Sequence, residues 1–277
     1  MIKISCNSYT GNLDVVLKLQ RLIQKQYEEL FIAVLVHGSV ATDEINAYSD
    51  FDGLLIVKDP YKESILLRKF LNQSLKIIYR FDPLQHHGWF IIFQSQLFNY
   101  PQTYFPIELF EFSKTIYPDY DIKLKIYLPE IVDYKESFRS ITASITKTLK
   151  NRHKITGMYQ LKVFLSELML LPTLYYQAMN KKCIFKKYSF DFVKSEISSE
   201  AWKAIEISSN IRDTWRYKFS YPKCLFIKSK DFSLTKKLAR KYLCPRIPDD
   251  INNLLDEKFY KACQMLISEM DYKVNEI

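Results

Sequence analysis

VLVHGSVATDEINAYSDFDGLLIV, residues 34–57, opens on an aliphatic run, breaks at Gly38-Ser39 and closes with Asp50-Phe51-Asp52 at the head of a second apolar run. Short Val, Leu and Ile runs on either side of a glycine break predict strand, tight turn, helix, strand. Side chains two apart on a strand share a face, so Asp50 and Asp52 point the same way while Phe51 turns to the side a sheet would bury. Two carboxylates held side by side repel each other. A divalent cation resolves the repulsion, and hard oxygen ligands suit Mg²⁺, which keeps part of its water and takes further ligands from substrate phosphates.

Gly38-Ser39 supplies the other half of a site. A glycine at a strand end lets the backbone approach a ligand, and the N-terminus of a following helix presents unpaired N–H groups to an anion. Ten residues separate Gly38-Ser39 from Asp50, enough for the second strand to return beside the first and bring phosphate and metal together. An ordinary turn with two solvated acids is the alternative reading.

Gly-Ser followed at this distance by Asp-x-Asp resembles the nucleotidyltransferases of the DNA polymerase β superfamily. The resemblance implies that Asp50 and Asp52 bind two Mg²⁺ ions, that a third carboxylate from a later strand completes the site, and that the substrate is an NTP, with ATP the simplest donor. Gly53 departs from the pattern, which prefers a bulky apolar residue there. For the third carboxylate, Asp82 is the acid that lies between Glu63 and Glu108. Pro83 biases it toward an extended conformation. His87 is the alternative, as an imidazole in the acid's place. His86 and His87 are also candidate bases or ligands, since a histidine with a pKa near 6.5 can take a proton from an acceptor hydroxyl at neutral pH. Glu108 and Glu111 are outside options, explained equally well as solvent-facing helix positions.

The rest of the chain bounds this reading. Its 277 residues, 48% hydrophobic and 26% charged, suit two globular domains. No apolar stretch reaches the roughly 18 residues of a membrane span. MIKISCNSYTGN lacks a secretory leader's apolar core, so a cytoplasmic protein is expected. Five scattered cysteines, at 6, 183, 224, 244 and 263, have no Cys-x-x-Cys pair and read as reduced thiols. Of the net charge of +9, residues 1–119 carry −2 and residues 120–277 carry +11. That asymmetry would draw a polyanion, NTP or RNA, or simply reflects a lysine-rich surface.

Along the chain, residues 12–29 and 61–78 show helical periodicity, and 77–81 and 89–93 read as strand-like runs around a polar loop. Residues 101–117 read as a short helix and a last strand at 114–117. Helices are expected over 133–149 and 158–179, with Ser189 and Ser199 as N-caps of the next two and Asp250 opening a final one. Lys181, Lys182, Lys186 and Lys187 form the basic cluster best placed for phosphate contact from this half, with Lys186 and Lys187 assigned to nucleotide, or else they decorate a solvated turn.

The expected architecture is α+β: a small mixed β-sheet nucleotidyltransferase domain with flanking helices over 1–120, then an α-helical bundle over 121–277. This arrangement resembles the two-domain kanamycin nucleotidyltransferase type. Expected catalytic residues are Asp50, Asp52, Asp82 and His87; metal ligands Asp50, Asp52 and Asp82; nucleotide contacts Gly38, Ser39, Lys186 and Lys187. The expected reaction moves a nucleoside monophosphate from an NTP to a hydroxyl or phosphate of an unidentified acceptor. A toxin-like enzyme acting on RNA or tRNA and an antitoxin-like nucleotide-binding module are the rivals.

Overall fold

The computed structural model describes residues 1–218 and 244–276; the chain is α+β and divides into two compact units, one within residues 1–131 and the other within 132–218 and 244–276. The first unit contains strands β1 (Ile2–Cys6), β2 (Phe31–His37), β3 (Asp52–Val57), β4 (Phe90–Phe93), β5 (Lys114–Tyr117) and β6 (Ile122–Ile126), with helices α1 (Asp14–Gln26), α2 (Ser39–Thr42) and α3 (Ile65–Phe81). β4-β3-β2-β5 is the order of a mixed sheet in which β3 and β4 run parallel and the other pairs antiparallel. β1 and β6 form a separate antiparallel ribbon, which extends this unit past residue 120.

Both faces of the sheet are covered, which is why β2 and β3 read as continuous apolar runs rather than alternating ones. Val34, Val36, Leu55 and Val57 face one cluster with Val16, Leu19 and Ile23 of α1 and Phe70 and Ile78 of α3. Ala33, Leu35, Leu54 and Ile56 face another with Tyr100, Phe105, Phe110, Leu124 and Ile126. The alternation predicted from the sequence is therefore present, with apolar residues on both sides.

Two expectations change here. Residues 77–81 belong to α3 rather than to a strand: Leu67, Phe70, Ser74 and Ile78 are buried at helical spacing, and the helix closes at Asp82, extended at φ −126° ahead of Pro83. Ser64 opens α3, accepting the Leu67 N–H at 3.0 Å. Residues 107–112 form a 3₁₀ turn in place of a short α-helix.

The second unit is helical among the described residues, with α4 (Glu136–Lys150), α5 (Met158–Asn180), α6 (Lys186–Lys194), α7 (Ser199–Asp213), α8 (Asp249–Leu254) and α9 (Glu257–Asn275). α5 is buried on most of its circumference, from Met158 to Ala178. Ser189 caps no helix; it lies buried inside α6, its hydroxyl donating to the Lys186 carbonyl at 2.7 Å and 3.0 Å from the Thr173 hydroxyl. Ser198, one residue before the expected Ser199, caps α7. The final helix is interrupted: Asp256 accepts the Phe259 N–H at 2.8 Å and starts α9 afresh after α8. Cys6, Cys183, Cys244 and Cys263 form no disulfide among the described residues, and Cys224 lies outside them. Among the described residues no helix is long and apolar enough to cross a membrane.

Candidate functional site

β2 delivers the chain to Gly38, whose backbone stands at φ 66°, ψ −151°, a region essentially reserved for glycine. Space imposes the same choice: a Cβ there would lie 2.8 Å from an Asp52 carboxylate oxygen. α2 follows at once, its Ala41 and Thr42 N–H groups donating to the Gly38 carbonyl at 3.0 and 3.1 Å, so Ser39 begins a turn packed against β2. The connection back to β3 is held by Asn46, whose side-chain oxygen accepts the N–H groups of Tyr48 and Ser49, both at 3.0 Å.

Asp50, Phe51 and Asp52 come next, with Asp52 facing His37 across the β2–β3 pair. Phe51 is buried and meets Trp89 edge to face at 5.3 Å. Its backbone bonds to one side chain in both directions: the Phe51 N–H donates to Gln85 Oε1 and Gln85 Nε2 donates to the Phe51 carbonyl, each at 2.9 Å. Gln85 thus stands in for a neighbouring strand just where β3 begins, and fixes the peptide between the two acids.

The acids converge on a histidine. His87 Nε2 lies 2.9 Å from Asp52 Oδ1 and 3.1 Å from Asp50 Oδ2, and His86 Nδ1 lies 3.3 Å from the same Asp50 oxygen. Among the described residues, Asp50, His86 and His87 form a group of metal-capable atoms within 4.8 Å of one another. Side-chain exposures of 16% for His86, 18% for Asp50, 23% for Asp52 and 30% for His87 leave the cluster open to a ligand.

Electrostatics follow from the contacts. Burial opposes the charged form of His87, and the charge of Asp52 together with hydrogen bonds to both aspartates outweighs it, so the imidazole is pushed up to about 11. For Asp52, burial and the Asp50 charge work upward, while the charge and hydrogen bond of His87 with the charge of His37 prevail and hold it below the usual carboxylate value. In the absence of a cation, an imidazolium at His87 neutralises the repulsion between the acids. His37 is held down, chiefly by burial, and stays neutral between the Phe90 and Phe105 rings, its Nε2 buried and without a hydrogen-bond partner among the described residues.

Gly38 therefore lies against Asp52, with Ser39 next in the chain, and His87 lies against both Asp50 and Asp52. Asp82 Oδ1 accepts the Leu84 N–H at 2.9 Å and shapes the turn after α3. Glu108 accepts from Gln102 at 2.9 Å, and Glu111 sits exposed beside it on the same 3₁₀ turn. Lys186 and Lys187 open α6 in the second unit. The contacts at the acids bring together two carboxylates and two imidazoles. Gln85 and His37 carry parts of the site that the sequence reading did not assign. His37 had a signal, a histidine at the end of an apolar strand directly before Gly-Ser.

No protein-family model and no curated protein matches the chain. Among solved structures, it is similar to the spectinomycin adenyltransferase AAD(9) of Enterococcus faecialis, solved with ATP and spectinomycin, at 15% identity and a TM-score of 0.45, the match covering 84% of this chain and 99% of that one.

Proposed function

We propose that the first unit carries a nucleotidyltransferase site that moves a nucleoside monophosphate from an NTP, ATP being the simplest donor, to an acceptor hydroxyl or phosphate. The observation that supports this is the convergence of Asp50 and Asp52 on one point, 3.1 and 2.9 Å from His87 Nε2, beside a glycine turn that admits no side chain. In the reaction an acceptor oxygen bonds to the α-phosphorus, the bond from that phosphorus to the bridging oxygen breaks, and pyrophosphate leaves with the electron pair. The backbone at Gly38 and Ser39 approaches the β- and γ-phosphates without steric hindrance. Asp50 and Asp52 hold a divalent cation, which when bound screens the charge on the phosphates and on the attacking oxygen. Asp52, kept ionised by its neighbours, retains its charge at neutral pH. His87, whose Nε2 lies against both acids, adds an imidazole donor to the same site. Gln85 keeps Phe51 fixed, and with it the separation of the acids.

The test is direct. Purified full-length chain, a divalent cation and α-labelled NTP are incubated with a fractionated lysate as the acceptor source, and pyrophosphate release and label transfer are followed. Asp50→Asn and Asp52→Asn are each expected to lower both by about 10²-fold or more, the equivalent of a few kcal/mol of lost charge stabilisation. Equal turnover in wild type and Asp50→Asn, or no pyrophosphate release from any NTP in wild type, refutes the assignment.

A further inference from the structure

We propose that Asp50, His86 and His87, with Asp52 bonded to His87 beside them, form a mixed carboxylate–imidazole site for one borderline divalent cation of the Zn²⁺ and Co²⁺ class, in preference to a pair of Mg²⁺ ions. The inference deepens the proposed transferase site and rests on it for location, while metal binding is measured apart from transfer.

Ligand chemistry comes first. Mg²⁺ is held by oxygen and water in near-ideal octahedra, and imidazole adds little to its affinity. Imidazole favours Zn²⁺, Cu²⁺, Ni²⁺ and Co²⁺, and two imidazoles with a carboxylate make a recognised donor set for such an ion.

Distances agree with a shared centre. Ligands bonded to one ion at 2.0–2.2 Å stand roughly 2.8–3.6 Å apart along the edges of an octahedron or tetrahedron. His87 Nε2 and His86 Nδ1 lie 3.1 and 3.3 Å from the same Asp50 oxygen, within that span, and the ligand atoms of these three residues all lie within 4.8 Å of one another. Consecutive histidines rarely present both rings to one point, yet His86 and His87 meet edge to face at 4.7 Å with both directed at Asp50.

Support behind the ligands also fits. A metal-bound histidine commonly donates its second ring N–H to a carbonyl, which sets the tautomer and the ring's orientation. His87 Nδ1 lies 3.2 Å from the Gly88 carbonyl, an arrangement that leaves Nε2 as the metal-facing atom. Gln85 Nε2, which donates to the His87 carbonyl at 3.2 Å as well as to the Phe51 carbonyl, ties this residue to the peptide of Phe51.

The experiment uses full-length protein without a polyhistidine tag, stripped with chelator and titrated calorimetrically with ZnCl₂ and with MgCl₂, and followed by visible absorption with CoCl₂. One Zn²⁺ per chain is expected at an affinity at least about 100-fold above that for Mg²⁺, together with a Co²⁺ spectrum of nitrogen–oxygen ligation. His87→Ala and His86→Ala should each weaken Zn²⁺ by about 10–100-fold. His87→Asp, which keeps a ligand and restores an oxygen donor, should narrow the Zn²⁺ preference over Mg²⁺ by at least about tenfold. Circular dichroism of each variant separates lost ligands from lost folding. Two Mg²⁺ ions bound more tightly than Zn²⁺, or a Zn²⁺ affinity untouched in a folded His87→Ala protein, overturns the proposal. Zn²⁺ binding without nucleotidyl transfer refutes the transferase reading alone, and Mg²⁺-dependent transfer without Zn²⁺ binding refutes this one alone.

Discussion

Gln85 shows how a single side chain sets the spacing of two others. It satisfies both backbone groups of Phe51 and touches His87, so the acids before and after Phe51 and the histidine opposite them share one support. Gln85→Met keeps the length of the side chain and removes both bonds, leaving a buried N–H and a buried C=O at the start of β3. Each unsatisfied group costs about 1–3 kcal/mol. Urea unfolding should therefore show a loss of a few kcal/mol, and divalent-cation affinity should fall by about 10–100-fold as for other supports of metal ligands; an unchanged affinity would mean the acids do not depend on this side chain. A second residue makes a pH prediction away from the site. Burial pushes the Cys6 thiol up to about 12, with Lys114 opposing weakly. A folded-state value above the unfolded one means that the native state holds the proton more tightly, so its stabilising contribution is complete below about pH 9 and is lost as pH rises toward about 12. Cys6→Ala should flatten part of the alkaline fall in stability, and native Cys6 should resist alkylation at pH 8 until the protein is unfolded. At this scale legibility depended on distance along the chain. Strand alternation put Asp50 and Asp52 on one side in the sequence, and both contact His87 Nε2, although β3 begins only at Asp52; glycine before serine marks the turn. Gln85 reaches across 34 residues to Phe51, and no local pattern announces a polar residue that will replace a strand. The same blindness applied to Asp82, since Pro83 foretold its extended backbone correctly and said nothing about where the carboxylate would turn.

Elements combine through Trp89 and Gly53. A Cβ on Gly53 would fall 2.3 Å from the Trp89 ring, so the glycine that departs from the superfamily pattern is the space the indole occupies. Trp89 in turn donates from Nε1 to the Ser74 hydroxyl at 2.9 Å and meets Phe51, joining β3 and α3 on the same side of the sheet. Gly53→Val should cost about 1–3 kcal/mol by overpacking. The double variant Gly53→Val with Trp89→Leu should be more stable than the sum of the single effects predicts, because the smaller side chain vacates the same space. Strict additivity in chemical denaturation would show that the two positions do not share it. α1 and α4 were readable from a helical period over many residues, β2 and β3 as short apolar runs beside a glycine break, and α5 as a long, mostly apolar stretch. The end of α3 was misread because Ile77-Ile78-Tyr79 is apolar and short, a run that periodicity alone assigns to strand or helix equally. Ile78 settles it by continuing the stripe of Leu67, Phe70 and Ser74. The β1–β6 ribbon joins residues more than a hundred positions apart, a pairing that depends on tertiary packing and on no local signal.

At the level of the whole molecule the α+β class was readable from order alone, short apolar runs punctuated by glycine first and long amphipathic periods afterwards. Charge adds a feature that the fold does not explain, −2 within residues 1–119 and +11 within 120–277. Such an excess suits a solvated surface or an NTP as well as RNA; a chain that acts on RNA gains affinity from every phosphate it neutralises, releasing counterions as it does so. If residues 120–277 engage a single-stranded RNA, log K should fall linearly with log salt, at about −0.7 per phosphate neutralised. Lys181, Lys182, Lys186 and Lys187, exposed or half-buried at the end of α5 and the start of α6, are the cluster to remove. Changing all four to Gln should make the slope shallower by about 0.7 for each phosphate left without its lysine. Filter binding of labelled oligonucleotides between low and high salt measures both slopes with wild-type chain as the reference. A wild-type slope near zero eliminates RNA as the acceptor and leaves the charge as solvated surface, while a steep slope that the four substitutions do not change moves the RNA-binding face elsewhere in the basic half.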